Sequence, residues 1–325
     1  MTGGGAGDGP EAFVCGEVRT CLLQTSASLP RAEAVRLLRL RSDEAVRFSE
    51  RPNLYAVSPE VLTGVDCALP AATGSRVRAV GTVRARAVLT EGRVLQAAAR
   101  FSSPVSGPDR RLPWGHYLVR PGVVQPLGRL SVPDVAAGFL GARPAVPDRH
   151  AAATVDLGAI AERLLARVLG QPLLDRRAPF KSRRTRLRWF AVHAAAGQGP
   201  PTAEFTVAAD GLRTLRISAA GLDAAEIAGF CEELALHDWL LTTLIRMIDR
   251  SRLGSTAGPE AVLALRPAVD HLLHLWMPGA RTGAGPAPLW DGLERHPGFT
   301  RQWQTLVQRI RDQLALRAVP FGCEA

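Results

Sequence analysis

The sequence predicts an α+β protein: a β-rich N-terminal region, then a β-meander and a C-terminal helical bundle. Three features of the chain predict it. Between residues 13 and 101 apolar side chains recur with a period of two, in runs bounded by turn residues. Between 184 and 219 three short alternating runs are joined by "GQGPP" and "DG". From 223 onward the apolar spacing changes to three and four, the buried stripe of amphipathic helices.

In order along the chain, residues 1–11 are Gly-rich and are expected to be disordered. "FVCGEVRTCLLQ" (13–24) places Val14, Val18 and Leu22 on one face of a strand. "PRAEAVRLLRL" (30–40) predicts a short helix capped by Ser28. Ser58-Pro59-Glu60 predicts the start of a helical turn, with proline at its first position. "SRVRAVGTVRARAVL" (75–89), the turn "TEG" and "RVLQAAARF" (93–101) predict a hairpin, with Gly92 supplying a positive φ. On its first strand Arg76, Arg78, Arg84 and Arg86 share one face, while Val77, Ala79, Val83, Ala85 and Leu89 face the core. A short helix is expected near 132–140. The Pro- and Ala-rich stretch 142–154 reads as a linker between a β-rich α+β domain (12–141) and a second unit (155–325). That unit holds a helix over 155–169, the meander over 184–219, and helices over 223–252, 259–276 and 298–318. The second of these three is expected to break at Pro267, and a Gly/Pro-rich loop covers 278–288.

The 325 residues are 46% hydrophobic, enough for a sizeable core. One lysine, Lys181, stands among 40 Lys and Arg residues, so the arginines reflect composition before geometry. Five scattered cysteines form no CxxC pair, which excludes a zinc ribbon and a thioredoxin-type motif. The N-terminus lacks a signal peptide's basic and apolar regions, and no run is long enough to span a membrane, so a cytoplasmic location is expected. Charge is uneven: residues 1–150 and 151–219 each carry a net +6, and 220–325 carry −2. Such a basic excess attracts nucleic acid, anionic membrane or an acidic protein.

Several chemistries are absent. The lone lysine sits in "PFKSRR" without the glycines of a phosphate-binding loop, and it is a poor kinase or Schiff-base lysine. No GxSxG elbow occurs, and the N-terminal glycines precede the first strand, so they are no dinucleotide fingerprint. No cofactor is predicted. Two constellations remain. His237 takes a position on the apolar stripe of the 223–252 helix, and His271 and His274 flank the stripe of the next. With Asp238 they are candidate ligands for zinc or iron. The HExxH spacing is missing, and a histidine packed on a helical seam, bonded to a carbonyl or carboxylate, explains the pattern better. The second constellation is basic. Lys181, Arg183, Arg184, Arg186 and Arg188 are interleaved with Phe180 and Trp189, and the ladder at Arg76, Arg78, Arg84 and Arg86 extends the same surface if the two sheets are contiguous.

The strings "GEVRTCLLQ" (16–24), "SERPNLYAVSPEVLTGVDC" (49–67), "RLPWGHYLVRPGVV" (111–124), "CEELALHDWLLTTL" (231–244) and "RPAVDHLLHLWMPGA" (266–280) together resemble an uncharacterised actinobacterial family represented in Streptomyces. The resemblance spans nearly the whole chain and implies no catalytic residue. It implies a neighbour encoded alongside, a variant P-loop protein, and hence a component of a multi-protein system. The leading expectation is a non-enzymatic interaction or adaptor subunit with a protein partner. The alternatives are a nucleic-acid-binding component using the arginine ladders, and a metal-dependent hydrolase using the histidine/carboxylate set.

Overall fold

Strands with apolar residues on both faces need cover on both sides. In a computed structural model the described residues are 12–74, 76–141, 154–193, 199–251 and 259–318. They include strands β1 (Phe13–Leu22), β2 (Arg47–Ser49), β3 (Tyr55–Val57), β4 (Val61–Ala68), β5 (Arg78–Thr90), β6 (Val94–Ser103), β7 (Val124–Pro126), β8 (Thr185–Val192), β9 (Thr202–Val207) and β10 (Leu212–Ser218). All ten join one sheet in the order β2-β3-β5-β6-β1-β8-β10-β9, with β4 and β7 also pairing β5. The helices are α1 (Arg31–Leu38), α2 (Trp114–Leu118), α3 (Val132–Gly141), α4 (Leu157–Leu169), α5 (Ala224–Ser251), α6 (Pro259–His271), α7 (Ala287–Arg295) and α8 (Phe299–Ala318).

The α+β class is as the sequence predicts, and the two-residue period sorts the core. Val14, Val18 and Leu22 face α5 to α8 together with Leu187, Trp189 and Ile217. Phe13, Cys15 and Cys21 face α1, α3 and α4 on the other side. The sheet is therefore the middle layer of three. Gly16 is required in its centre: the Trp189 ring lies directly across it, and a Cβ there would sit 2.4 Å from the ring. The β5–β6 hairpin forms as expected, with Gly92 at φ +60°.

Several local expectations are corrected. The sheet runs through the boundary foreseen between two domains, because β1 lies between β6 and β8; the stretches 1–11 and 142–153 lie outside the described residues. β9 and β10 form the hairpin that Asp210-Gly211 signals, but β10 inserts beside β8 in parallel and pushes β9 to the edge, so the three strands are not a simple meander. Ser28 does not cap α1; its hydroxyl donates to the Glu91 carbonyl. Ser58-Pro59-Glu60 joins β3 to β4 in extended form, and the Ser58 hydroxyl accepts the Ala87 N–H (2.9 Å). α6 continues through Pro267, because Leu265 and Ala268 are buried on either side of it. α7 starts at the end of the stretch read as loop (278–288) and runs on through residues for which no helix is predicted. Among the described residues no helix is long and apolar enough to cross a membrane.

α5 dominates one face. The Asp223 carboxylate accepts the N–H groups of Ala225 (2.7 Å) and Glu226 (2.8 Å), and Glu226 returns a bond from the Asp223 N–H (2.9 Å). This reciprocal cap fixes the helix start at about 1 kcal/mol. Every residue from Phe230 to Leu241 is buried, polar ones included. Those polar residues, set against β5, β6 and β10, build an ionised interior.

Candidate functional site

The arginine ladders come first, because the sheet decides their fate. Register carries Arg84 of β5 to Arg100 of β6, and Arg100 to Gly16 of β1, all on the α5 side. Arg188 of β8 pairs in register with Glu17 of β1, on the α4 side. The two ladders therefore lie on opposite faces of one sheet and form no common basic surface. Nor are they open. Arg84 and Arg100 share Glu60 (2.5 and 2.9 Å), and Arg86 makes a two-pronged bond to Glu232 of α5 (2.7 and 2.8 Å). On the other face Arg184 pairs with Glu162, Arg186 with Asp210, and Arg188 with Glu17 (3.1 Å). Arg78 is held by Asp66 (2.7 Å). Of the basic residues singled out by sequence, Arg76, Lys181 and Arg183 are the solvent-exposed ones without a carboxylate partner.

The metal candidates do not converge. His237 is buried; its Nδ1 lies 2.8 Å from the Glu233 carbonyl, and its Nε2 accepts the Met277 N–H (3.2 Å). Nδ1 therefore carries the proton, and the lone pair a metal would need is used by Met277. His271 stacks on Phe180, with ring centroids 6.3 Å apart. His274 is exposed on the 3-10 turn Leu273–Leu275. Asp238 pairs with Arg213 (2.8 Å). Among the described residues no three His, Cys, Asp or Glu side chains form a metal-binding group. The tryptophans seal helix contacts: Trp276 stacks on Trp303 (4.4 Å), and His237 stands edge-on to Trp276 and Trp290.

Burial pushes the His237 imidazole down to about 4 from its ordinary 6.5. A base whose folded pKa is depressed stays neutral in the fold while the unfolded chain takes a proton. Its contribution is complete above about 6.5 and is lost as pH falls toward 4, by about 3 kcal/mol in all. Burial pushes the Asp238 carboxyl up to about 6 against the pull of Arg213. That is the opposite sign, costing stability as pH rises from about 4 to 6, so the two flatten each other's pH profile. The expected result is direct: the His237 ring resonances hold still from pH 7.5 to 5 in an NMR titration. A midpoint near 6.5 would show that this ring is solvated.

Two features that sequence pattern did not single out lie on the part of the α5-side face that α5 leaves uncovered. One is a cleft of about 350 Å³ between β2, β3, β5 and α5, lined by Arg47, Tyr55, Arg86, Glu232, Glu233 and Arg281 among others. Register accounts for its wall, since Ser49, Tyr55 and Thr90 align across three strands, as do Arg47, Val57 and Val88. Arg281 arrives from the 278–288 loop. Its guanidinium donates to Asn53 Oδ1 (2.7 and 3.2 Å) and Thr90 Oγ1 (3.0 Å), and lies over the Tyr55 ring (4.6 Å). The Glu233 carboxylate accepts the Arg281 main-chain N–H (3.1 Å), and burial raises its pKa.

The other is an apolar patch. α2 packs over β4–β5, with the Trp114 ring against Gly64. Leu118, one turn on from Trp114, is 58% exposed and Val119 is 75% exposed; Leu62 is exposed two residues from Gly64 on the same face of β4. Arg111 stacks over Trp114 (5.4 Å) and shares Asp66 with Arg78. Among the described residues β4 pairs with β5 and, by a single bridge from Ala68, with Thr154, so within them one edge of this strand is unpaired for most of its length. "LPWGHYLV" carried a signal of sorts, an apolar aromatic run between prolines, but nothing in its spacing says which members stay outside. Comparison with family models, with curated proteins and with solved structures finds no match for this chain.

Proposed function

We propose that this protein is a non-enzymatic interaction subunit that acts in the cytoplasm and docks an acidic protein partner on the α2–β4 face. The exposure of Leu118 and Val119 beside Trp114 and Leu62 carries the reading. Large aliphatic and aromatic side chains grouped outside a well-filled core are a usual signature of a binding surface. Arg78, Arg110 and Arg111 flank the group and are themselves exposed, which suits a partner with carboxylates around an apolar centre. The free edge of β4 offers main-chain bonds to the same partner. The resemblance to the actinobacterial family nominates the neighbouring variant P-loop protein. The basic ladders favour a nucleic-acid reading less, since most of their arginines are paired with carboxylates and the two ladders lie on opposite faces of the sheet.

The test is a tagged pull-down from a native host, with and without nuclease, run beside the Leu118→Asp/Val119→Asp variant. Both side chains are exposed, so the variant keeps its fold. A stoichiometric partner that survives nuclease and is lost with the variant is the expected result. Loss of about 2 kcal/mol or more, roughly thirtyfold in affinity, is the scale for a central anchor. Partners that bind both proteins equally, or that leave on nuclease treatment, would overturn the docking face.

A further inference from the structure

Arg281 and Arg47 are cations of one cleft whose guanidinium groups hydrogen-bond no carboxylate among the described residues. Arg47 makes no hydrogen bond or ion pair among the described residues. The Arg281 guanidinium is partly buried and is met only by the neutral oxygens of Asn53 and Thr90. Among the described residues neither its Nη1 nor the Tyr55 hydroxyl has a hydrogen-bond partner. The third arginine, Arg86, is matched by Glu232. What remains is two guanidinium groups against Glu233, whose carboxylate accepts the Arg281 main-chain N–H. The Glu233, Glu232 and Glu91 carboxylates act on Arg281 without bonding its guanidinium, whose hydrogen bonds go to neutral oxygens, so an incoming anion gains a charge-assisted bond there. The volume suits a small molecule.

We propose that this cleft binds a small ligand through an oxyanion, a phosphate or carboxylate group, held between Arg47 and Arg281 with the Tyr55 hydroxyl as a third donor. The proposal is independent of the docking face, since it uses none of its residues. The donors sit on a rigid base: Tyr55 is fixed in β3, and Arg281 is clamped to β5 through Thr90. Two guanidinium groups lining one cleft favour a dianion over a monoanion, so inorganic phosphate is expected to bind more tightly than acetate.

The experiment is an NMR titration of the full chain with inorganic phosphate and, separately, with acetate, following the arginine Nε–H resonances and the amides of residues 53–57. Saturable shifts at Arg47 and Arg281 are expected with at least one anion. Arg47→Gln, at an exposed position without partners, is expected to weaken binding about tenfold. Tyr55→Phe keeps the ring under Arg281 and is expected to weaken it by a smaller factor. Tighter binding of acetate would assign the ligand to the carboxylate class. The proposal is overturned if neither anion gives a saturable shift at these residues, if shifts spread over surface arginines alike, or if Arg47→Gln binds as the parent does.

Discussion

Replacing Glu17 with alanine is expected to destabilise the protein by about 3–5 kcal/mol. Glu17 is 1% exposed at the centre of β1. One carboxylate oxygen meets Arg19 (2.7 Å) and the other meets Arg188 (3.1 Å). Arg188 also donates to the Phe139 carbonyl (3.0 Å) and lies over the Phe139 ring. α4 seals the group from above at Gly158, where a Cβ would come within 2.7 Å of the carboxylate. Alanine would leave two guanidinium groups under that helix with their anion gone. A surface pair serves as the control: Arg31–Glu50 is exposed on both sides, so Glu50→Ala should change stability by less than about 1 kcal/mol. Urea unfolding of the two variants decides it. A Glu17→Ala loss as small as the control's would mean that water reaches the pair, and that Arg188 is available to outside ligands after all.

That pairing explains why the arginine ladders mislead at the level of sequence. The two-residue period correctly groups Arg84 with Arg86 and Arg184 with Arg186 and Arg188. Period cannot say which side of the sheet each group faces, because that depends on how β1 joins β6 to β8. Nor does it locate the acids. Glu60, Glu232 and Glu17 are 24, 146 and 171 residues from their arginines. The core was more legible: Val14, Val18 and Leu22 on one face and the hairpin at Gly92 follow from local spacing, and both are found. The order of β8, β10 and β9 was not, since a hairpin signal fixes only the partner across its own turn. His237 was readable as a seam residue, because it fills a gap in an apolar stripe; its bond from Met277 depends on where the chain returns after α6. The cleft had no signal at all. Arg47, Tyr55 and Arg281 come from two short strands and a loop, and only tertiary pairing brings them together.

Glu232→Ala is expected to cost a similar amount, about 3–5 kcal/mol, and here a second substitution separates the two readings of the pair. Glu232 joins α5 to the sheet twice: its carboxylate takes both prongs of Arg86, and its carbonyl accepts the Gln96 amide (2.8 Å). Removing the carboxylate strands Arg86 in a neighbourhood that already holds Arg84 and Arg100, with Glu60 as the remaining anion. Arg86→Met alone strands Glu232 in the same way. The double replacement Arg86→Met/Glu232→Leu removes both charges, fills the space with apolar atoms and keeps the Gln96 bond to the main chain. Its stability is expected to return to within about 1 kcal/mol of the parent, so the double-mutant cycle should show a large coupling. If the double variant is instead as unstable as either single one, the pair contributes net stability and the interior of this face depends on charge. The same variant bears on the cleft. The double variant leaves Arg47, Arg281 and Tyr55 in place and removes a matched pair of charges from the cleft lining, so its phosphate affinity should stay near the parent's, while Arg86→Met, which removes a cation there, should weaken binding and Glu232→Ala, which removes an anion, should strengthen it. An affinity that followed stability across the series would mean that the anion reads the packing of α5 and not the two unmatched guanidinium groups.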